Sequence, residues 1–233
     1  MAAYTDVDKA EQEEERSYQI NQLGAKVLAT WAMESKCKLI HISTDIVFSG
    51  RKKSPYLTTD STGPLNVYGK SKLAGENEIL KINSELSAII RTSWLYSQFR
   101  NNFVRTILRL MSERESLNIV NDQIGSPTST HSVVDLIFAM LKKSDCSGIY
   151  HWSDIGGISW YEFSIAVQSI ALELGILTTS IPIQPTSSEK YPRKALRPKY
   201  SVLDVSLAKD KFNVVPHAWN ERLRHVIKQI AQN

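Results

Sequence analysis

Cysteine is nearly absent: Cys37 and Cys146 are the two in 233 residues. That excludes a disulfide-stapled secreted scaffold and makes reduced thiols in the cytoplasm the expectation. Histidine is sparse and scattered, at 41, 131, 151, 217 and 225, with no His-x-x-x-His or Cys-x-x-Cys spacing; no metal site is expected. No apolar run approaches the ~20 residues that span a bilayer, and the first residues carry no charged-then-apolar leader. One-signed charge is missing too. The net charge is +4, from 28 basic and 24 acidic side chains, and Arg51-Lys52-Lys53 is a short basic cluster. Nucleic acid and membrane are therefore not expected as partners. Finally, the glycines at 24, 50, 63, 69, 75, 125, 148, 156, 157 and 175 never take the Gly-x-Gly-x-x-Gly spacing of a dinucleotide-binding turn.

What is present is a soluble globular composition, 42% hydrophobic and 22% charged, and one informative stretch. Tyr68 and Lys72 stand four apart in Tyr68-Gly69-Lys70-Ser71-Lys72, so a helix places them on one face. A neighbouring ammonium lowers the pKa of a phenol and readies it as a general acid. Thr44 ends the apolar run Leu39-Ile40-His41-Ile42, which puts its hydroxyl at the carboxyl edge of a strand, where open α/β sheets bind ligands. Together the three side chains can protonate a ketone oxygen while a hydride reaches its carbon. The Tyr-x-x-x-Lys spacing alone is weak, since roughly 0.7 such pairs arise by chance in this composition. Its context is stronger: a strand with a hydroxyl, a Gly/Ser/Pro/Thr-rich loop over 49–63, then a helix opened by Pro64.

Periodicity predicts helices over about 10–33, 65–82, 102–113, 132–142, 160–174 and 216–231, and strands over 38–43, 88–92, 117–120 and 149–152. The proline-punctuated stretch 181–198 reads as irregular. Strands alternating with helices mean an α/β protein with a parallel sheet.

Ser43-Thr44-Asp45 with Val47-Phe48, followed by Pro64-Leu65-Asn66-Val67-Tyr68-Gly69-Lys70-Ser71-Lys72-Leu73-Ala74-Gly75-Glu76, resembles the extended short-chain dehydrogenases. More closely it resembles the dTDP-4-dehydrorhamnose reductases. Further segments agree in order: residues 2–11, Arg91-Thr92-Ser93-Trp94, residues 121–128, Tyr150-His151-Trp152-Ser153 and residues 197–204. The resemblance implies a Rossmann-like doubly wound parallel sheet, N-terminally incomplete, with a small C-terminal substrate-binding lobe. Residues 1–120 would be the remainder of the NAD(P)-binding domain, and 121–233 mainly the lobe, interleaved with the sheet. The family's Gly-rich βα units are expected to be missing from these residues, which leaves an open strand edge and uncovered apolar helix faces.

The implied reaction is reduction of the 4-keto group of dTDP-4-dehydro-L-rhamnose by NADPH or NADH. Thr44, Tyr68 and Lys72 would be catalytic, and Tyr4, Thr5, Tyr68 and Lys72 would meet the cofactor. Thr44, Asp45, Trp94, Asn121, Asp122, Gln123 and Arg197 would meet the sugar nucleotide. Each has a plainer alternative. Thr44 can cap a turn, Trp94 can be core, Asn121-Asp122-Gln123 can build an Asx turn before Pro127, and Arg197 can form a surface ion pair. Trp152 and Trp160 read as core. Related 4,6-dehydratases carry Asp-Glu after the Thr. Here Asp45-Ile46 stands instead, and isoleucine moves no protons, which argues for simple reduction. The implied partner is a dTDP-sugar, with a homodimer as the open assembly question. The alternative class is a non-catalytic, reductase-like binding subunit, similar to the regulatory subunit of methionine adenosyltransferase. The intact Thr44/Tyr68/Lys72 set favours the enzyme, and the absent Gly-rich turn favours the alternative.

Overall fold

The helix expected over 10–33 is built in pieces. In the computed structural model, which describes residues 3–191 and 193–232, the chain opens with α1 (Val7–Ala10) and α2 (Glu14–Tyr18). A π-helical turn (Gln19–Leu23) then leads into α3 (Gly24–Glu34). The wide turn accompanies an inward polar side chain. Buried Asn21 accepts from Tyr4 N at 3.0 Å and donates to Tyr4 O at 3.0 Å and Ser71 Oγ at 2.9 Å. A π turn commonly marks such a packing or functional constraint. The buried stripe of α3 is Ala25, Ala29 and Ala32, while Leu23, Val27 and Trp31, which helical spacing singles out, are 53–60% exposed.

Next come β1 (Leu39–Thr44), a 3-10 turn (Asp45–Val47), α4 (Val67–Asn83), β2 (Ser87–Thr92) and β3 (Leu95–Tyr96). They are followed by α5 (Phe103–Glu113), β4 (Leu117–Val120), β5 (Ile124–Gly125), β6 (Thr128–Ser129) and α6 (Thr130–Leu141). The remainder is β7 (Gly148–His151), β8 (Ile158–Ser159), α7 (Trp160–Glu173), β9 (Ile183–Thr186), α8 (Ser206–Phe212) and α9 (Trp219–Ala231). Strand β9 corrects the irregular reading of 181–198. It pairs parallel with β4, Leu117 opposite Ile183 and Val120 opposite Thr186.

Strands β1, β2 and β7 form a parallel sheet in that order, with Thr44 opposite Thr92 and Arg91 opposite His151. Alternation along β2 sends Ile89 toward Ala25, Ala29 and Ile79 of α3 and α4. Ala88 and Ile90 turn the other way, toward Val133, Leu136 and Met140 of α6 and Ala208 and Phe212 of α8. Helices thus cover both faces, the doubly wound α/β arrangement the composition of the strands predicts. A separate apolar core joins α5, α7 and α9 through Val104, Ile107, Phe163, Val167, Leu223 and Ile227, with Leu117 of β4 and Ile183 of β9. Strand β1 lies at one end of the strand order, so its carboxyl end opens toward the space between the sheet and this second core.

Candidate active site

Two short elements bring Thr44 and Tyr68 together. Thr44, the last residue of β1, caps the 3-10 turn by accepting from Ile46 N at 3.2 Å, and donates to Asp45 Oδ1 at 3.2 Å. The cap leaves Thr44 lining the same cavity as Tyr68, near enough for its hydroxyl to oppose the rise in the phenol's pKa. Helix α4 starts where it does because Asn66 Oδ1 accepts from Gly69 N at 2.8 Å and Glu11 Oε1 from Val67 N at 2.8 Å. Residue 69 must be glycine for this approach. A Cβ there would lie 2.5 Å from Ile46 O, inside contact distance, so a side chain would push Tyr68 away from Thr44.

Tyr68 is half-buried, and burial pushes its phenol up to about 12, with the Asp45 charge adding and the Thr44 hydroxyl opposing. The expectation that Lys72 lowers this pKa is not met. The Lys72 ammonium is turned onto Ile42 O at 2.7 Å and His41 Nε2 at 3.2 Å. The phenol therefore stays protonated at neutral pH, the state a proton donor needs. Lys72 itself is 3% exposed, and burial brings it down to about 8, with Glu76 pulling upward. Asp45, fully enclosed, is pushed up to about 6 by burial.

A cavity of about 700 Å³ runs along this edge, lined by β1, Thr5, Tyr68, Lys72, Thr92, Trp94, Gln123, Trp160 and Arg197 among others. One lining residue, Thr92, holds a buried hydroxyl oxygen without a hydrogen-bond partner. An orphaned hydroxyl beside a cavity of this size fits a polar ligand. Of the residues expected at the site, Thr5, Thr44, Asp45, Tyr68, Lys72, Trp94, Gln123 and Arg197 line the cavity. Tyr4 does not: its backbone is held by Asn21 and its hydroxyl donates to Glu13 Oε2 at 3.1 Å. Asn121 is exposed, and Asp122 accepts from Ser188 N and Oγ at 2.8 Å each.

Arg197 forms the ion pair that was its plainer alternative, and it faces the cavity as well. It forks onto Asp8, at 2.7 and 3.2 Å. Burial raises Asp8, but the hydrogen bonds from Arg197 and Ala195 and the Arg197 and Arg193 charges outweigh it, bringing the carboxyl to about 2.

Trp160, expected in the core, packs against the core of α5, α7 and α9 and is also a wall of the cavity. It stacks on Trp94 with centroids 3.4 Å apart and planes 6° from parallel, and Phe103 leans on it at 4.3 Å. Trp94 holds a φ of 45°, a left-handed conformation that costs energy for a bulky residue and persists only where the surroundings enforce it. Gly125 beneath it makes room: a Cβ there would sit 2.5 Å from Trp94 Cε2. Gly125→Ala is expected to cost about 1–3 kcal/mol by urea unfolding and to weaken the coupled-tryptophan signal in near-ultraviolet circular dichroism. An unchanged spectrum and midpoint would contradict this packing account.

A strand-borne threonine and a helix-borne tyrosine lining one cavity, with a buried lysine one turn on, at the carboxyl edge of a doubly wound sheet, define the short-chain dehydrogenase/reductase class. The family model for the RmlD substrate binding domain matches residues 1–232. The dTDP-4-dehydrorhamnose reductase of Escherichia coli strain K12 is 37% identical over 233 residues, covering 98% of this chain and 78% of the relative. The Bacillus subtilis spore coat polysaccharide biosynthesis protein SpsK is 39% identical over 229 residues, covering 98% of this chain and 77% of the relative. The crystal structure of the Bacillus anthracis dTDP-4-dehydrorhamnose reductase in complex with NADP superposes with a TM-score of 0.91 at 36% identity, covering 98% of this chain and 78% of that one. The chain belongs to the RmlD family of dTDP-4-dehydrorhamnose reductases.

Proposed function

We propose that this chain catalyses the NAD(P)H-dependent reduction of dTDP-4-dehydro-L-rhamnose to dTDP-L-rhamnose. The observation that carries the reading is the convergence of Thr44, Tyr68 and Lys72 on one cavity at the strand edge, with the Lys72 ammonium held by Ile42 O behind them. The nicotinamide end of the cofactor fits this edge: Lys72 presents a buried ammonium for ribose hydroxyls, and Thr5 lines the wall beside it. When bound, the reduced nicotinamide supplies the hydride.

The chain's own part is proton delivery and charge stabilisation. Tyr68 gives its phenolic proton to the oxygen at C4 as that oxygen gains charge. Thr44 turns its one hydroxyl proton from Asp45 to the same oxygen, an oxyanion contact that strengthens in the transition state. Lys72 holds the ribose. Asp45 and Gln123 take sugar hydroxyls, and the Trp94–Trp160 stack walls the hexose. Arg197 has five N–H donors, so with its fork on Asp8 it still has one edge for a diphosphate oxygen. Ile46, apolar and lining the cavity, offers no acid or base for eliminating water.

We assign residues 1–120 to the cofactor-side unit and 121–233 mainly to the substrate lobe, interleaved with the sheet through β7. We place the reaction in the cytoplasm, where the free thiols of Cys37 and Cys146 stay reduced, with a homodimer as the working assembly. The test is substrate-dependent loss of reduced nicotinamide at saturating cofactor. Turnover with the 4-keto sugar supports the enzyme; tight sugar-nucleotide binding without turnover would favour the non-catalytic subunit.

A further inference from the structure

The side of β1 that faces α4 reads Leu39, His41, Ser43, two polar groups where a sheet face under a helix is ordinarily apolar. Ser43 is accounted for, since its hydroxyl donates to Glu76. His41 is not. Its Nε2 lies 3.2 Å from Lys72 Nζ, and the same ammonium donates to Ile42 O at 2.7 Å. An ammonium has three N–H donors and no acceptor. The contact is therefore attractive only with His41 neutral, its proton on Nδ1 and the Nε2 lone pair toward Lys72. Burial, with the Lys72 charge adding, holds His41 down to about 3, so it is neutral at any working pH. Two of the three N–H bonds of Lys72 are thus committed to β1, which fixes the direction of the third.

We infer that His41 is a positioning residue: it accepts one N–H of Lys72 so that the remaining N–H is aimed into the cavity, at a vicinal-diol ligand such as a ribose. This rests on the role given to Lys72 above. The pair has few other charged neighbours. Glu76 stands one turn along α4 and Tyr68 one turn before; β1 contributes His41 and the Ile42 carbonyl; β2 contributes Arg91, which is bound to Glu76. Glu76 is spent on Arg91 and Ser43, which leaves His41 as the side chain that directs the ammonium.

The test compares His41→Gln, which offers an amide oxygen within reach, with His41→Leu, which fills the space and accepts nothing. The Lys72 ammonium is titrated by NMR in protein carrying ¹³C at lysine Cε, its signal assigned by its loss in Lys72→Gln. Losing a hydrogen bond to a charged group should lower the Lys72 pKa by about one pH unit in His41→Leu. The same variant should raise the KM for NADPH about tenfold, the factor that corresponds to one such bond, with wild-type values returning in His41→Gln. Should His41→Leu fail to fold, His41→Met carries the same comparison. An unchanged Lys72 pKa in the folded Leu or Met variant, or a Gln variant as impaired as either, would overturn the inference. Wild-type turnover in Lys72→Gln would instead overturn the role of Lys72, while leaving the titration comparison intact.

Discussion

Tyr68→Phe should lower kcat by about 10²–10⁴-fold while KM for either substrate stays within a few-fold of wild type. The phenylalanine ring fills the same half-buried space, so binding surfaces persist. What disappears is the proton that neutralises the oxygen at C4, an interaction made mainly in the transition state. The Thr44 hydroxyl keeps its bonds to Asp45 and Ile46 N in the variant, so the cap on the 3-10 turn survives. Steady-state kinetics decide the matter: a loss in kcat under about tenfold would remove Tyr68 from the role of general acid.

The second large effect is on stability. Glu76→Gln should cost about 3–5 kcal/mol, read by urea unfolding. Arg91 and Glu76 are 4% and 1% exposed, and their contacts run at 3.0, 3.2 and 2.6 Å. The glutamate also accepts from Ser43. One carboxylate therefore ties β1, β2 and α4 together directly beneath the catalytic edge. Neutralising it leaves the Arg91 guanidinium buried without a counter-charge, which is the costly case for a buried pair. Removing both partners, in Glu76→Leu with Arg91→Met, should recover most of the loss, since well-packed apolar replacements of a buried pair are often neutral or better. A Glu76→Gln variant within 1 kcal/mol of wild type would show that the pair is not what holds the three elements in register.

The meeting of Thr44, Tyr68 and Lys72 at one cavity was legible because its geometry is local. A hydroxyl at the end of an apolar run marks a strand edge, and residues four apart share a helix face, so Thr44, Tyr68 and Lys72 follow from spacing and order. The main sheet was legible for the same reason, through the short β-branched runs that became β1, β2 and β7. What escaped is set by contacts distant in the chain. Strand β9 contains Pro185, which normally argues against a strand. It is tolerated because β9 pairs with β4 alone, leaving its other edge unpaired. Trp160 has the spacing of a core residue on α7 and does pack on that core, but its stacking on Trp94 at the cavity joins positions 66 apart. The Asp8–Arg197 fork joins positions 189 apart, and no local pattern announces it. The direction of Lys72 depends on His41, 31 residues upstream. A polar residue at an inward strand position was the available signal for that contact.

The central claim is that the Thr44–Tyr68 edge reduces a sugar ketone. The most direct measurement uses NADPH deuterated at nicotinamide C4, each stereochemistry in turn, with dTDP-4-dehydro-L-rhamnose as the acceptor. The account predicts dTDP-L-rhamnose bearing one deuterium at sugar C4, from one of the two labelled cofactors and not the other. A product without deuterium at C4, or a sugar altered elsewhere with its keto group intact, would contradict it.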